Sequence, residues 1–547
     1  MSSVPMQKLL KKDVDLVIDL DYYDYVILVG SEAAKEYAKC TSVTNYAGQL
    51  LEDKFICISN PSVLVFKPEG KEGFKRALER IHSYIAGTLV NIDYTKIGDF
   101  KGIEDEAEAR SFLLEVLCSD TSVVALDTED TALYPRDGYV IGVSLSYKLL
   151  HGRYIHADVL SSDLIDILQQ IIDTKLVVFH NMKFDIKMLE YHLGLKFDPS
   201  RVHDTMIMHY ILDENSPHGL KPLALKYTKL GDYDTELEEF KATYCREHGL
   251  LQEEFTYDLI PFNIICKYAS MDTAATLELY IKFKPLIDSK FSKLYYDLLI
   301  PATIFLKDME EVGIPISYER MKRAENYLDI SIELARKAIY EFPEIRKFEE
   351  IEGIIFNPNS VQQLRKVLFD YIGLTPTGKL TATGAISTDS EVLEELSKEH
   401  PLPAAILKVR QLGKIKNTYV SKILPELDKD SRVRTNFNLI FTTSGRLSSS
   451  GKFNAQQIPR DDPLIKGCIA APPGYKVVSQ DLQTGEMYYA AVLSGDTALQ
   501  SVFLSREDFH SSIAKLVFDL TCLAKEVKKL FPAMRQSAKA ISFGINL

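Results

Sequence analysis

Long apolar runs, paired cysteines and an excess of positive charge are all missing from this 547-residue chain, and each absence removes a class of function. No segment reaches the roughly 18 consecutive apolar residues of a membrane span. The N-terminal Lys8, Lys11, Lys12 and Asp13 have no apolar stretch behind them, so the sequence predicts a soluble, untargeted protein. The seven cysteines, at 40, 57, 118, 245, 266, 468 and 522, are scattered and form no Cys-x-x-Cys pair. That excludes a zinc ribbon or disulfide scaffold and suits a reducing cytoplasm. Lys and Arg number 64 against 77 Asp and Glu, a formal net charge of −13, which excludes a generally basic nucleic-acid coat. Any contact with nucleic acid must then come from a local basic patch or a metal cluster. Repeats and low-complexity tracts are absent too, and 46% apolar content can fill the cores of three to five domains at about 100–200 residues each.

What is present reads first as α/β. Apolar runs at 25–29 and 55–58, a small-residue turn at Gly30 and helical spacing over 72–85 predict a small α/β unit within residues 1–100. Short strands follow at 123–126, 140–145, 154–156 and 176–179, and then helices to about residue 288. Beyond Leu299 the chain reads as largely helical, with Pro301, Gly313 and Pro315 bounding one helix. The window 401–425 holds Lys408, Arg410, Lys414, Lys416 and Lys422 and no acid, which in so acidic a chain predicts contact with a polyanion.

The chemistry begins at the end of the run Val123–Leu126. Asp127 and Glu129 stand two apart on a strand and so share one face. Asn181-Met182-Lys183-Phe184-Asp185 comes directly after the apolar strand 176–179 and places Asp185 at the start of a helix. Tyr268 and Asp272 are four apart, on one face of another helix. Four carboxylates of this kind are hard oxygen ligands suited to two Mg²⁺ or Mn²⁺ ions, and a nearby phenol can orient an attacking water. The pattern predicts metal-assisted phosphodiester hydrolysis.

These motifs, in this order over about residues 105–285, resemble the DEDD 3′-5′ exonucleases of the tyrosine subclass, the proofreading domain of many DNA polymerases. His218-Gly219-Leu220-Lys221 between the second and third motifs is similar to that family as well. The resemblance implies a ribonuclease H-like domain over 101–288. It also implies two ions held by Asp127, Glu129, Asp185 and Asp272, with Tyr268 positioning the water.

The remainder, 289–547, resembles part of the right-hand polymerase module of family A DNA polymerases. Asn357-Pro358-Asn359-Ser360 with Gln363-Leu364, and Ser387-Thr388-Asp389, look like its thumb, about 320–430; the basic window then implies a grip on primer-template by Lys408, Arg410, Lys414 and Lys416. Arg446, Asn454, Gln456 and Gln457 lie in segments similar to the family's template-primer contacts, with one residue more than usual between Arg446 and Asn454. Polar side chains there can read minor-groove acceptors common to all base pairs. Val477–Asp481 is expected to be an apolar strand delivering a metal-binding Asp481. Glu486 would close the sugar pocket, although Leu482–Gly485 and Tyr488 depart from the family pattern. Arg535, Lys539 and Phe543 recur every four residues on one helix face, and with His510 they are expected to hold the incoming deoxynucleoside triphosphate.

Two segments depart from the resemblance. Family A polymerases need a second palm carboxylate from a His-Asp-Glu segment downstream of the fingers helix, and residues 544–547 hold none. Either the sequence is a truncated product or, as is expected here, polymerisation and any polymerase-site metals require a second polypeptide. Gly30–Ala34, Ser42–Gly48 and Asn60-Pro61-Ser62 resemble the C-terminal half of uracil-DNA glycosylases, which usually carry His where Asn60 stands. The expected whole is an α/β exonuclease domain, then a mainly helical, incomplete polymerase module, with a small α/β unit at the N-terminus. Its expected partners are primer-template DNA, single-stranded 3′ ends and deoxynucleoside triphosphates, in a bacterial or phage-infected cytoplasm, near the nucleoid and away from membranes. A free-standing exonuclease and a non-catalytic DNA-binding subunit are the alternative readings.

Overall fold

The structure is a computed structural model and describes residues 22–546, apart from 39–42, 44–46, 49, 52–53, 67–70, 87–96, 232, 382–383, 452, 460–461 and 483. It forms two compact units, divided after Ile469. The first opens with three strands, β1 (Val26–Val29), β2 (Leu50–Leu51) and β3 (Phe55–Ile58), in the order β1-β3-β2. β1 runs parallel to β3, and Ile56, Ile58, Ala77 and Ile81 close one side against the helix Lys71–Ala86. Here Asn60 Oδ1 accepts from the backbone N–H and hydroxyl of Ser62, at 3.0 and 2.8 Å, so its side chain is spent on a local turn. Of the stretch Ser42–Gly48, positions 42 and 44–46 lie outside the described residues.

The second region is a six-stranded sheet ordered β4-β7-β6-β5-β8-β9. Its strands are β4 (Asp99–Ile103), β5 (Val123–Asp130), β6 (Val140–Ser146), β7 (His151–His156), β8 (Leu176–Phe179) and β9 (Val202–Asp204). β6 alone is antiparallel to its neighbours. The central strands are buried along almost their whole length, which is why they read as continuous apolar runs rather than alternating ones. Helices α1 (Glu106–Cys118), α2 (Ser162–Thr174) and α3 (Met182–Leu193) share one apolar core with the sheet, built around Leu113, Leu168, Val178, Phe179 and Ile186. The long helix α4 (Phe262–Lys290) lies on β4 and β7. It comes that close because a Cβ on Gly152 would stand 2.0 Å from the Ser270 carbonyl oxygen, and one on Gly102 would meet Phe262 and Cys266. β9 and these two glycines are features the sequence did not announce.

Beyond it the unit is mainly helical. α5 (Ile300–Val312) ends at Gly313, as its flanking Pro and Gly predict, and α6 (Tyr318–Tyr340) and α7 (Pro401–Ile415) pack on each other. A hairpin of β10 (Asn436–Asn438) and β11 (Ser448–Ser450) follows. Buried Glu310 on α5 ties this region to the sheet domain: its carboxylate accepts from Lys183 at 2.6 Å, from Lys187 at 2.9 Å and from the Phe437 backbone N–H at 2.6 Å. Lys183 also donates to Asn436 Oδ1 at 2.7 Å and to the Phe437 carbonyl.

The second unit, Ala470–Leu547, contains helices Gly485–Ser494, Phe509–Val517 and Pro532–Asn546. The strand expected over Val477–Asp481 is not formed. The segment has no regular structure, and Val477 and Val478 are 62% and 79% exposed. A strand needs a ladder partner for its N–H and C=O groups, and among the described residues none pairs with this segment.

Candidate active site

β5 carries Asp127 and Glu129 at its end, as their spacing predicts, and α4 brings Asp272 to them. One oxygen from each of these three carboxylates lies within 4.8 Å of the others, the only group of three or more potential ligands among the described residues. Asp185 joins from the first turn of α3. Its Oδ1 accepts from the backbone N–H of Thr128 at 3.1 Å and from the Thr128 hydroxyl at 3.0 Å, which seats it beside the strand between Asp127 and Glu129. Its Oδ2 is buried without a hydrogen-bond partner.

The turn leading into α3 is strained for a purpose. Asn181 adopts a left-handed φ of 74°, which Asn tolerates better than most residues, and turns its own N–H and that of Met182 onto the Asp204 carboxylate, at 3.1 and 2.8 Å. Asp204 caps the next helix as well, accepting from Met206 N–H at 2.8 Å. One buried carboxylate thus fixes the helix start that delivers Asp185.

Burial pushes the carboxyls of Asp127, Glu129 and Asp185 well above the ordinary range, and their mutual repulsion pushes in the same direction. Asp130, at a bulge where the β5 register shifts after Glu129, is raised by burial to about 7. Asp272 is raised by burial too, but Lys221 and the Tyr233 hydroxyl, both bonded to its Oδ1, pull it back. Such crowding is unfavourable unless cations enter, and the partnerless Asp185 Oδ2 offers a ready ligand. The donor set therefore fits divalent ions bound by oxygen.

Tyr268 sits one helical turn before Asp272. The Lys221 ammonium lies 3.8 Å from the centre of its ring, and Tyr233 and Tyr257 pack near it. Burial and the neighbouring Asp272 raise the Tyr268 hydroxyl well above its usual range, so it stays a neutral phenol. Thr128, Asp204, Tyr233 and Tyr257 are site residues that the motif reading missed; only the Asp-Thr at 204–205, a helix-capping pair, carries a signal in the sequence.

The polymerase-like residues fall into separate groups. In the first unit Asn454 is knitted to Ser449, donating to its carbonyl at 3.0 Å, and Gln456 donates to the Leu447 carbonyl at 3.0 Å, while Arg446 and Gln457 are exposed. On the thumb-like helix Lys408 and Lys414 are exposed, Arg410 donates to the Thr388 carbonyl at 2.6 Å, and Lys416 pairs with Asp329. In the second unit Asp481 and Glu486 are both exposed. Burial lowers the pKa of His510, and the nearby charges of Arg535 and Lys539 push in the same direction. Arg535 makes a two-pronged pair with Asp508, 2.8 Å at each contact, and holds that carboxyl well below the ordinary range. Phe543 is on the same helix, but its side chain lies outside the described residues.

Carboxylates from the end of one strand and two helices, with a phenol beside them on a mixed sheet, are consistent with the divalent-metal site of a 3′-5′ exonuclease domain. Comparison with known proteins agrees: residues 100–288 match the 3′-5′ exonuclease family and residues 326–546 match DNA polymerase family A. The chain belongs to DNA polymerase family A, with an N-terminal exonuclease domain. It is 48% identical over 98% of its length to the DNA polymerase of Escherichia phage T5, of which it spans 66%. It is 31% identical over 77% of its length to DNA polymerase I of Synechocystis and 36% over 47% to the thermostable DNA polymerase I of Thermus thermophilus; these alignments span 42% and 30% of those proteins. The solved POL domain of Pol1 from M. smegmatis, in complex with DNA primer-template and dNTP, shares the fold. Its TM-score is 0.63 at 23% identity, over 81% of this chain and 71% of that one. Among the described residues no helix is long and apolar enough to cross a membrane.

Proposed function

We propose that this chain removes nucleotides from single-stranded 3′ ends of DNA and belongs to a DNA-directed, proofreading DNA polymerase. The observation that carries the hydrolytic reading is the gathering of Asp127, Glu129 and Asp272 within 4.8 Å, beside an Asp185 whose second oxygen is buried without a partner. When bound there, divalent cations supply Lewis-acid activation of water and neutralise charge on the phosphodiester. The chain's own residues do the rest. Thr128 and the Asp204-capped turn fix Asp185, and Asp127 and Glu129 hold their face of the strand end. Tyr268, kept neutral, orients the water for in-line attack at phosphorus, with the 3′-oxygen of the penultimate nucleotide leaving. Release of mononucleotides from a 5′-labelled single strand, dependent on Mg²⁺ or Mn²⁺ and abolished by Asp127→Ala, is the expected result. Equal release by the variant would refute the assignment.

For nucleotide transfer, Asp481 is the metal-binding carboxylate of this reading, Glu486 gates the sugar, and His510, Arg535, Lys539 and Phe543 hold the triphosphate and base. Arg446, Asn454, Gln456, Gln457 and the exposed Lys408 and Lys414 contact primer-template, with Arg410 and Lys416 supporting that surface. The likeness in fold to a polymerase domain solved with primer-template and dNTP supports it. The exposed apolar Val477 and Val478 suit pairing with further strands of a palm sheet. Primer extension on mixing with a fragment carrying a His-Asp-Glu segment is the expected outcome. Failure with every such fragment would refute the nucleotide-transfer reading while leaving the exonuclease untouched. In this reading the protein works in a bacterial or phage-infected cytoplasm, close to the nucleoid.

A further inference from the structure

Lys221 is the second residue of the helix that starts at Leu220, and its ammonium is where the exonuclease carboxylates meet a positive charge. It contacts Asp272 Oδ1, lies 3.3 Å from the Tyr233 hydroxyl, and stands 3.8 and 4.4 Å from the ring centres of Tyr268 and Tyr233. Tyr233 donates to the same Oδ1. Both bonds to Asp272 therefore end on one oxygen, and the carboxylate is clamped with its other oxygen left for a further ligand. Burial raises the carboxyls of Asp127, Glu129 and Asp272, and the Lys221 charge opposes that rise at all three, so its field reaches beyond its bonded partner.

We infer that Lys221 is the resident counter-cation of the exonuclease site, a positioning residue that balances the carboxylate cluster before divalent ions arrive and then competes with them for it. The inference rests on the metal-dependent exonuclease reading above. The reason is one of charge and place. An ion entering beside Asp272 meets the ammonium across a single carboxyl group, and like charges separated by so short a path inside a protein repel strongly. The metal-free cluster, for its part, would hold four carboxylates with no cation if the lysine were gone, a state in which the groups neutralise by taking up protons. The same ammonium over the Tyr268 ring keeps the phenol in place, a cation–π contact in a site shielded from water. The lysine thus trades metal affinity for alignment, and it sets how much divalent cation the site needs.

The experiment is Mn²⁺ titration of the full chain at pH 8.5, without DNA, read by electron paramagnetic resonance, beside hydrolysis of a single-stranded 3′ end at saturating Mn²⁺. Lys221→Met, which keeps the length of the side chain and removes its charge, should bind the tightest Mn²⁺ about tenfold more strongly and yet turn over about tenfold more slowly, a split that a merely structural role would not produce. Lys221→Arg should return both values toward those of the unchanged protein. Tyr233→Phe, which removes the other bond to Oδ1 and keeps the ammonium, should slow turnover without tightening Mn²⁺ binding, and it serves as the test if Lys221→Met does not fold. Tighter Mn²⁺ binding by Tyr233→Phe, or equal or weaker binding by Lys221→Met, would overturn the inference. No Mn²⁺ binding by the unchanged protein would instead overturn the exonuclease reading on which it rests.

Discussion

In the exonuclease domain, carboxylates stand on the end of a buried strand and on two helices packed against its sheet, whereas in the second unit Asp481 stands on an exposed segment with no strand partner among the described residues. Cations show the reverse pattern. Around Asp127 the negative charges crowd one another with a single lysine among them, while in the second unit Arg535 is already matched to Asp508 by two bonds. The first site holds charge in an unfavourable arrangement, as a preformed receptor for cations must. The second keeps its charged groups satisfied or in water, as a binding surface does when its ligand arrives with other parts of the site.

The sharpest way to break this comparison is Asp127→Asn. It should lower the rate of 3′-end hydrolysis on the order of a thousandfold and, in metal-free buffer, leave the melting temperature unchanged or raised, because a repelling charge has gone. A clear fall in melting temperature would show that the cluster is not under electrostatic strain. Its companion is a pH series. Carboxyls with raised folded pKa values bind more protons in the native state than unfolded, so the metal-free chain should lose stability as pH rises from the ordinary carboxylate range through about 7, the value for Asp130. Added Mg²⁺ should stabilise more at pH 8 than at pH 5. Next in size, Tyr268→Phe should slow turnover on the order of a hundredfold with metal binding retained. Asp204→Ala strips partners from buried N–H groups and should cost about 1–3 kcal/mol of stability by denaturant titration, with activity falling as Asp185 loosens. The smallest effect belongs to the second unit. Asp508→Asn should cost about 1 kcal/mol. Its sign with pH is opposite to that of the cluster: the depressed Asp508 carboxyl contributes stability above the ordinary carboxylate pKa, lost as pH falls below it.

The sequence made the clustered carboxylates legible because their spacing matches the periods of strand and helix: two for Asp127 and Glu129, four for Tyr268 and Asp272. It made the strands of the sheet legible because burial on both faces leaves unbroken apolar runs. What it could not convey is support that arrives from far along the chain. Thr128 meets Asp185 across 57 positions and Tyr233 meets Asp272 across 39, and neither pair shares a period or a motif. Gly102 and Gly152 matter only because α4 lies on them, a tertiary fact. The failed strand at Val477–Asp481 marks the opposite limit. An apolar run states a propensity, and without a partner ladder the propensity is not realised.

The Glu310 clamp bears on how this chain can be taken apart. The match to the exonuclease family stops at residue 288, yet the carboxylate facing Lys183 and Lys187 is supplied from position 310, and Ile440 shares the apolar core of the sheet. A fragment cut at the edge of the match would keep two lysines without their counter-charge, each two residues from Asp185 and on either side of it, and would uncover part of its core. Homology boundaries and mechanical boundaries differ here, and a separable exonuclease would have to take the helix Ile300–Val312 and the hairpin at 436–450 with it.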